Sequence, residues 1–319
     1  MRIVDAATTR RHLGFAELIA ALRTMFVAGC EVPQRHVHTI ADAESGAPRG
    51  TVLVMPAWRP GRRFGLKTVM IFPGNGARGL PGLHSTYLLY DATTGEPLAQ
   101  LDGDEITTRR TAAAAALAAS YLARPDARRL LIVGSGRVAA LLADAMRAVR
   151  PIAEVIVWNH RHAGAERLAA TLRAAGFAAH ASADLAGSVA AADIVSCATL
   201  SNAALIEGRW LAAGTHLDLI GSFTPQMREA DAACFQRARV FVDTPEALGK
   251  SGDVLAAIAE GAFAPAALQG TLADLCAGRC PGRGSAGEIT LFKAVGSALE
   301  DLAAAELVHE RLSPSTAYP

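Results

Sequence analysis

The ten residues LLIVGSGRVA at positions 130–139 constrain the fold of this chain more than any other segment. The first four are apolar and predict a buried strand, and the residues behind the segment predict a helix. Between strand and helix, Gly134, Gly136 and Ala139 have the G-x-G-x-x-G/A spacing of a dinucleotide-binding turn. The first glycine permits a tight turn, the second lets a pyrophosphate approach the backbone, and the alanine lets helix and strand pack closely. We therefore predict a dinucleotide with its pyrophosphate on the N–H groups of the helix start.

The rest of the chain predicts an α/β protein in two parts. From the glycine turn onward, apolar strands alternate with helices, which is typical of a Rossmann, doubly wound parallel sheet. Before it, residues 1 to about 105 contain a helix over residues 12–28 and short extended pieces separated by Pro and Gly. These pieces predict a mixed α+β unit with a mostly antiparallel sheet. A last helix, over about residues 294–307, is expected to return to this first unit.

Composition and charge exclude several classes of function. The chain has 319 residues, of which 51% are hydrophobic, and a formal net charge of +1. This balance provides no strong field for nucleic acid or an anionic membrane. No uncharged apolar run reaches the roughly 20 residues of a membrane span, and the N-terminus has no apolar core of signal-peptide type. Five scattered cysteines complete no metal site, so we expect free thiols, no metal and a cytoplasmic protein.

The residues after the second predicted strand indicate which dinucleotide binds. Asn159 falls about 20 residues past the glycines, where NAD-binding proteins place an acid for the ribose 2′-hydroxyl. An acid would repel a 2′-phosphate, whereas Asn159 does not, and Arg161 offers the phosphate a planar donor fork. Arg137, inside the glycine turn, adds positive charge. The sequence therefore favours NADPH; the alternative is that Arg161 is a solvated loop residue and that NADH is accepted as well.

Three cations outside the glycine turn indicate an anionic ligand. Arg35 follows a Pro-Gln pair, Lys67 lies inside an apolar strand, and Arg110 lies near the start of a predicted Ala-rich helix capped by Thr107 or Thr108. A positive charge at a helix start opposes the helix dipole, so an anion beside it is favourable. Two arginine forks and one lysine suit a small carboxylate. The alternative for each cation is an ion pair at the surface.

These segments together resemble the ornithine cyclodeaminase/mu-crystallin family, and the resemblance covers nearly the whole chain. The motifs that carry it are PQRH at 33–36, MPA at 55–57, GLKTV at 65–69, YDATTGEPLA at 90–99, TRRTAA at 108–113, VGSGRVA at 133–139, VWNHR at 157–161, CATLS at 197–201 and EITLFKAVG at 288–296. The resemblance implies a substrate-binding and dimerisation domain of residues 1–117 with 298–319. It also implies an NAD(P)-binding Rossmann domain of residues 118–297 and a homodimer.

The resemblance also assigns roles to particular residues. Arg35, Lys67 and Arg110 would hold a substrate carboxylate, with Lys67 close to the reacting centre, whereas Arg109 would be a neighbouring structural or phosphate-side cation. The residues expected to bind the cofactor are Thr107, Gly134, Ser135, Gly136, Arg137, Val138, Asn159, His160, Arg161, Thr199 and Gly221.

One stretch separates the activities within that family. The resemblance implies that true cyclodeaminases carry an Asp here, which helps to deprotonate the substrate amine. Aligned by the proline and glutamate that follow, Ser222 occupies this position, and Asp218 lies earlier, inside a predicted strand. A serine cannot act as a carboxylate base at neutral pH. The form IGSFTPQMRE at 220–229 resembles the branch that reduces cyclic imino acids, in which we expect Lys67 and Ser222 to act at the catalytic centre.

The resemblance thus implies NAD(P)H-dependent reduction of Δ1-pyrroline-2-carboxylate or Δ1-piperideine-2-carboxylate to L-proline or L-pipecolate. Such a reaction needs a carboxylate clamp, a hydride donor and a proton at the ring nitrogen. Three alternatives stay open at this point. They are an ornithine cyclodeaminase, an amino-acid dehydrogenase such as one that forms alanine, and a non-catalytic NADPH-dependent ligand binder.

Overall fold

The computed structural model describes residues 1–313, which divide into two compact units. The N-terminal unit consists of Met1–Arg110 together with the C-terminal segment that begins at Ser297. The central unit consists of Thr111–Gly296. Residues 314–319 of the predicted first domain lie outside the described residues.

The N-terminal unit is built on one six-stranded sheet. Its strands are β1 (Arg2–Val4), β2 (His36–Ala41), β3 (Pro48–Arg59), β4 (Arg63–Ile71), β5 (Leu83–Asp91) and β6 (Pro97–Asp102). They lie in the order β1-β6-β5-β4-β3-β2, and all neighbours pair antiparallel except β1 and β6. The turn predicted from DATTGEP joins β5 to β6, and Gly95 there has a φ of 78°, which a side chain would strain.

The central unit is built on a parallel eight-stranded sheet. Its strands are β7 (Arg129–Val133), β8 (Glu154–Trp158), β9 (Ala178–Ala181), β10 (Ile194–Cys197), β11 (His216–Leu219), β12 (Arg239–Val242), β13 (Gly270–Thr271) and β14 (Thr290–Lys293). Their order is β13-β12-β14-β11-β10-β7-β8-β9, and every neighbouring pair is parallel. The run β9-β8-β7-β10-β11 has the 3-2-1-4-5 order of a doubly wound fold, so the predicted fold class is confirmed.

The strand β14 was not predicted as part of this sheet. It lies between β11 and β12, so the chain returns to the interior of the sheet after β12 and β13 have formed. All four residues of β14, TLFK, are buried, including Lys293. A run this short that ends in a lysine lacks the continuous apolar character by which a buried parallel strand is recognised.

Helices cover both sheets. They are α1 (Ala6–His12), α2 (Phe15–Ala28), α3 (Gly103–Leu122), α4 (Ala139–Arg147), α5 (His162–Ala174), α6 (Leu185–Ala191), α7 (Ala232–Arg237), α8 (Ala247–Lys250), α9 (Gly252–Ala259), α10 (Leu272–Cys276) and α11 (Ala298–Leu312). Short 3₁₀ turns occupy Pro73–Arg78, Gly208–Trp210 and Pro265–Ala267. Within residues 1–313, no helix is both long enough and apolar enough to cross a bilayer.

The start of α3 corrects the predicted cap. The helix begins one turn before Thr107, and the carboxylate of Asp102 accepts a hydrogen bond from the N–H of Glu105 at 2.8 Å. Thr108 instead donates its hydroxyl back to the carbonyl of Asp104 at 2.9 Å, inside the helix. Arg110 therefore lies beyond the first turn, and the argument that its charge opposes the helix dipole does not apply.

Two further predictions concern the domain boundary and the start of the last helix. The predicted boundary after residue 117 falls inside the continuous helix α3, and the domain limits stay a prediction. The last helix begins at Ala298 instead of residue 294, because the hydroxyl of Ser297 accepts a hydrogen bond from the N–H of Leu299 at 3.2 Å and caps it.

Candidate functional site

The glycine turn of the central unit has the geometry that a dinucleotide requires. Gly134 follows β7 with a φ of 115°, and a Cβ added to it would lie 2.6 Å from the carbonyl oxygen of Ala198. The sharp turn at the carboxyl end of the strand therefore requires glycine, because no residue with a side chain fits there. A Cβ on Gly136, in contrast, would meet no atom within 4 Å, so this backbone is open to a ligand.

Beside this turn lies a cavity of about 770 Å³ in the central unit, here called the nucleotide pocket. It is lined by Gly134, Ser135, Gly136, Trp158, Asn159, His160, Arg161, Ala163, Gly164, Arg167, Ala198, Thr199, Leu200, Ser201 and Leu205. Seven of the residues predicted to bind the cofactor are therefore brought together: Gly134, Ser135, Gly136, Asn159, His160, Arg161 and Thr199. Arg137 and Val138 lie in the glycine turn just before α4, and Gly221 follows β11 without lining the pocket.

One wall of the nucleotide pocket is polar and is formed by the residues that come directly after β8 in the chain. Asn159 donates its side-chain N–H to the carbonyl of Arg161 at 2.9 Å, and the guanidinium of Arg161 donates to the ring of His160 at 3.2 Å. Gly164 packs so closely that an added Cβ would lie 2.7 Å from the hydroxyl of Ser135. Among the described residues that line the pocket, none carries a carboxylate. Sequence reasoning missed Arg167, which follows Arg161 on α5 and adds a second guanidinium to this wall.

A buried group in the N-terminal unit, here called the cation cluster, consists of Lys67, Thr107, Arg110, Glu300 and Asp301. Strand β4 supplies Lys67, whose residue is 2% exposed. Its ammonium lies 2.6 Å from a carboxylate oxygen of Asp301 and donates to the hydroxyl of Thr107 at 3.4 Å. Thr107, predicted to contact the cofactor, is thus placed next to the predicted substrate cation.

Arg110 shares the same carboxylate. Its Nε donates to the other oxygen of Asp301 at 2.9 Å, and its Nη1 donates to Glu300 at 2.6 Å. Asp301 therefore bridges the ammonium of Lys67 and the guanidinium of Arg110. Two cations and two carboxylates balance in charge, which makes their burial tolerable.

The two carboxylates of the cation cluster were not predicted from the sequence. Glu300 and Asp301 lie in the first turn of α11, where acids are favourable to the helix dipole and attract no special notice. Their burial is the unusual feature, since neither is more than 1% exposed. The pairing with Arg110 spans 190 and 191 residues of chain, beyond the reach of any local pattern.

Burial also changes the acidity of Lys67. Removal from water lowers the pKa of its ammonium to about 8, and Asp301 opposes this shift. Lys67 is therefore mainly cationic at neutral pH but lies close to the point at which it releases a proton.

Arg35, the third predicted cation, lies at the start of β2. The strand begins with His36, which pairs with Val54, and the next residue of β3, Met55, pairs with Lys67. The structure therefore brings Lys67 and Arg110 together on one carboxylate and places Arg35 at the end of a strand two positions away in the sheet.

Comparison with known proteins identifies the family. A family model described as the ornithine cyclodeaminase/mu-crystallin family matches residues 4–316. The chain belongs to the ornithine cyclodeaminase/mu-crystallin family. The family predicted from the motifs is thus confirmed.

Several proteins resemble this family member along most of their length. A Delta(1)-pyrroline-2-carboxylate reductase of Paracoccus denitrificans is 41% identical over 299 residues, which cover 93% of this chain and 92% of the relative. The structure of the Thermococcus litoralis Delta(1)-pyrroline-2-carboxylate reductase, in complex with NADH and L-proline, is 30% identical with a TM-score of 0.90 and covers 98% of this chain and 97% of that one. An archaeal alanine dehydrogenase dimer with bound NAD is 28% identical with a TM-score of 0.88, covering 97% and 95%. These similarities confirm the predicted reductase branch and the enzyme class, an oxidoreductase.

Within this family member, Ser222 lies in the segment that follows β11. Its residue is fully buried, and its hydroxyl donates to the carbonyl of Met227 at 2.5 Å and accepts from the N–H of Asp253 at 3.1 Å. These bonds hold the segment after β11 in place, and the catalytic role of Ser222 stays a prediction. Asp218 is also fully buried inside β11, where Ser196 hydrogen-bonds to it.

Proposed function

We propose that this enzyme reduces Δ1-pyrroline-2-carboxylate or Δ1-piperideine-2-carboxylate to L-proline or L-pipecolate with NAD(P)H. The observation that carries the proposal is the buried pair of cations, Lys67 and Arg110, held on the bridging carboxylate of Asp301. Such a preorganised pair suits a small carboxylate next to a reacting carbon. The similarity to the Paracoccus and Thermococcus reductases supports a cyclic imino acid as substrate.

In this proposal the N-terminal unit binds the acid group of the substrate. Lys67 provides a point charge and Arg110 a planar fork, while Arg35 adds a third cation from the start of β2. Glu300 and Asp301 fix the orientation of the Arg110 guanidinium, so little side-chain freedom is lost when the substrate carboxylate binds.

Lys67 also has the acidity that the reaction requires. Reduction of a C=N bond adds a hydride to carbon and leaves one proton to be placed on nitrogen. Because the pKa of Lys67 is about 8, its Nζ holds a proton at neutral pH and releases it at little cost. We assign the proton at the ring nitrogen to this group, in place of Ser222. When bound, NAD(P)H supplies the hydride.

The central unit binds the cofactor, and its pocket favours NADPH over NADH. Arg161 and Arg167 both line the nucleotide pocket on the side of β8, and the described lining residues include no carboxylate to repel a 2′-phosphate. NADPH is therefore expected to have a kcat/KM at least about tenfold above that of NADH, since a charged hydrogen bond contributes about 1.5 kcal/mol or more. R161A should reduce this preference, since Arg167 remains, and leave the reaction with NADH unchanged. Equal efficiencies in the wild type would show that both cofactors are accepted.

A substrate panel tests the reaction itself. The purified enzyme is given five- and six-membered cyclic imino acids with each reduced cofactor, and oxidation of NAD(P)H is followed by absorbance. We expect turnover with at least one ring and formation of the matching L-amino acid. Parallel assays measure ammonia release from L-ornithine and NADH oxidation with pyruvate plus ammonia. Activity confined to either of these assays would instead identify a cyclodeaminase or an alanine-forming dehydrogenase.

We also propose a cytoplasmic homodimer. The alanine dehydrogenase that resembles this chain is described as a dimer, which supports the assembly. Light scattering coupled to size-exclusion chromatography measures the mass directly against the 33.1 kDa of one chain. A mass equal to one chain at micromolar concentration would contradict the dimer.

A further inference from the structure

A buried carboxylate ties together the ends of two neighbouring strands in the central unit. Glu229 has no exposed surface. One of its oxygens accepts hydrogen bonds from the N–H and the hydroxyl of Thr199, at 2.7 and 2.8 Å. The other accepts from the N–H of Gly221 at 2.7 Å. Thr199 follows β10 and Gly221 follows β11, so one side chain joins the carboxyl ends of adjacent parallel strands.

The chemistry of this position requires a carboxylate. All three partners are donors, and an ionised carboxylate accepts at both oxygens, whereas a glutamine would turn an NH₂ group toward one of them. The space is equally restricted, because a Cβ on Gly221 would lie 2.3 Å from both Glu229 and the carbonyl oxygen of Thr199. Position 221 therefore requires a glycine as long as the side chain of Glu229 occupies this space.

A second carboxylate holds the first. Asp253 accepts hydrogen bonds from the N–H groups of Glu229 and Ala230, at 2.7 and 3.0 Å. The ammonium of Lys293, at the end of β14, lies 3.4 Å from the other oxygen of Asp253. The backbone that carries Glu229 is thus fixed by groups from α9 and β14, and its carboxylate has little freedom to move.

What Glu229 holds in place is one wall of the nucleotide pocket. Ala198, Thr199, Leu200 and Ser201 all line this pocket, and Glu229 is bonded to Thr199 at two atoms. The strand order puts β10 on one side of β7 and β8 on the other. A dinucleotide whose pyrophosphate lies at the end of β7 extends over both neighbours, with its adenosine half at β8. The nicotinamide half then lies at the end of β10, against the segment that contains Thr199.

We propose that Glu229 is a positioning residue for cofactor binding: it fixes the segment 198–201 against which the nicotinamide half of the dinucleotide binds. The inference rests on the proposed function, in that it assumes a nicotinamide dinucleotide in this pocket. It adds a residue that touches neither substrate nor cofactor and acts only through Thr199.

The test compares the affinity for the whole cofactor with the affinity for a fragment that lacks the nicotinamide. Dissociation constants are measured by calorimetry for NADPH and for 2′-phospho-ADP-ribose, which lacks the nicotinamide, on the wild type, E229Q and T199V. E229Q is expected to weaken NADPH about tenfold, because at least one charged hydrogen bond to the pocket wall is lost. The fragment should bind both variants within about twofold of the wild type. T199V removes the hydroxyl's bond to Glu229 and the one it accepts from the N–H of Ser201 at 3.3 Å, keeps the carboxylate, and should show a smaller loss in the same direction.

A matched control lies at the opposite, amino-terminal end of the same sheet, between β10 and β7. The carboxylate of Asp193 accepts from the N–H groups of Arg128 and Arg129, both at 2.9 Å, just before β10 and β7 begin. D193N removes a clamp of the same kind and should lower thermal stability while leaving the affinity for NADPH unchanged.

Three results would overturn the proposal. The first two refute the role of Glu229 alone, and the third refutes the proposed function as well. If E229Q and T199V bind NADPH as the wild type does, Glu229 positions nothing that the cofactor uses. If the cofactor and the fragment weaken equally, the effect is a general loss of structure. Should E229Q fail to fold, T199V decides between these outcomes. A wild-type protein that binds neither ligand would refute the dinucleotide site itself, and with it both proposals.

Discussion

Arg110 shows how the partners of a side chain decide what the side chain does. Its guanidinium is almost fully buried and donates to two carboxylates, Glu300 and Asp301. Removing it would leave Glu300 buried without this cation and Asp301 paired with Lys67 alone, and breaking a buried ion pair typically costs about 3–5 kcal/mol. A charge-conserving variant is therefore the informative one, since it keeps the cation and loses the planar fork.

We expect R110K to raise the KM for the cyclic imino acid about 10- to 100-fold with a smaller change in kcat, because binding of the carboxylate is lost equally in ground and transition states. Steady-state kinetics at saturating NADPH measure this. R109K is the matched control, because Arg109 pairs instead with Glu105, at 3.6 Å in the N-terminal unit. An unchanged KM in R110K would remove Arg110 from the substrate site.

The pKa of Lys67 predicts a pH profile. Burial lowers it to about 8, so the ammonium that binds the carboxylate and holds the proton is lost as the pH rises through about 8. We expect kcat/KM to fall about tenfold per pH unit above that point. In K67R the side chain stays protonated, so this limb should disappear although the rate at neutral pH is lower. A limb that persists unchanged in K67R would belong to the substrate or to another group.

At the scale of elements, strand β11 carries two buried titratable groups with opposite effects on stability. His216 and Asp218 are two positions apart and both have no exposed surface. Burial lowers the pKa of His216 to about 3 and raises the pKa of Asp218 to about 7. Burial thus favours the neutral form of each group, which for His216 extends down to about pH 3 and for Asp218 up to about pH 7.

The sign of each contribution follows from linkage. The histidine contributes stability that is present above its ordinary pKa of 6.5 and is lost as the pH falls toward about 3. The aspartate contributes stability that is present below its ordinary pKa of 3.8 and is lost as the pH rises through about 7.

We therefore expect D218N to be more stable than the wild type at pH 8, by about 1–3 kcal/mol, and to lose the decline between pH 4 and 7. Chemical denaturation across this pH range measures the free energy of unfolding. D126N, at a carboxylate whose side chain is 80% exposed, is the control and should leave the profile unchanged. Parallel profiles for D218N and the wild type would contradict a raised pKa at Asp218.

At the scale of the whole molecule, cofactor binding should appear as thermal stability. A ligand present at 100 times its Kd stabilises the native state by about 2.7 kcal/mol, which corresponds to a rise in Tm of about 5–10 °C for a unit of this size. We expect NADPH to produce this shift in the wild type, measured by differential scanning fluorimetry. At the same concentration of NADPH, R161A should keep about half of this stabilisation, because a tenfold weaker Kd leaves the ligand at about ten times its Kd, and its shift with NADH should be unchanged. No shift with either cofactor would contradict the nucleotide pocket.

Much of this molecule followed from local spacing in the chain. The turn with Gly134 and Gly136, the alternation of strands and helices behind it, and the glycine of the DATTGEP turn are each set by residues within a few positions of one another. Local rules apply to them because a tight turn or an amphipathic period depends on the nearest neighbours. The parallel sheet and the antiparallel sheet were predicted on this basis, and seven of the proposed cofactor residues line one pocket.

Long-range packing decided the rest. Lys67 and Arg110 were predicted as cations, but their carboxylates are on α11, at the far end of the chain. The same holds for Ser222, whose burial no pattern indicates, for β14 between β11 and β12, and for Glu229 beneath Thr199. A residue's type sets what it is able to do, whereas its partners are chosen by which segments the core brings together. Burial of a charge becomes possible only when such a partner arrives, so the paired sites of this enzyme emerge with the tertiary structure.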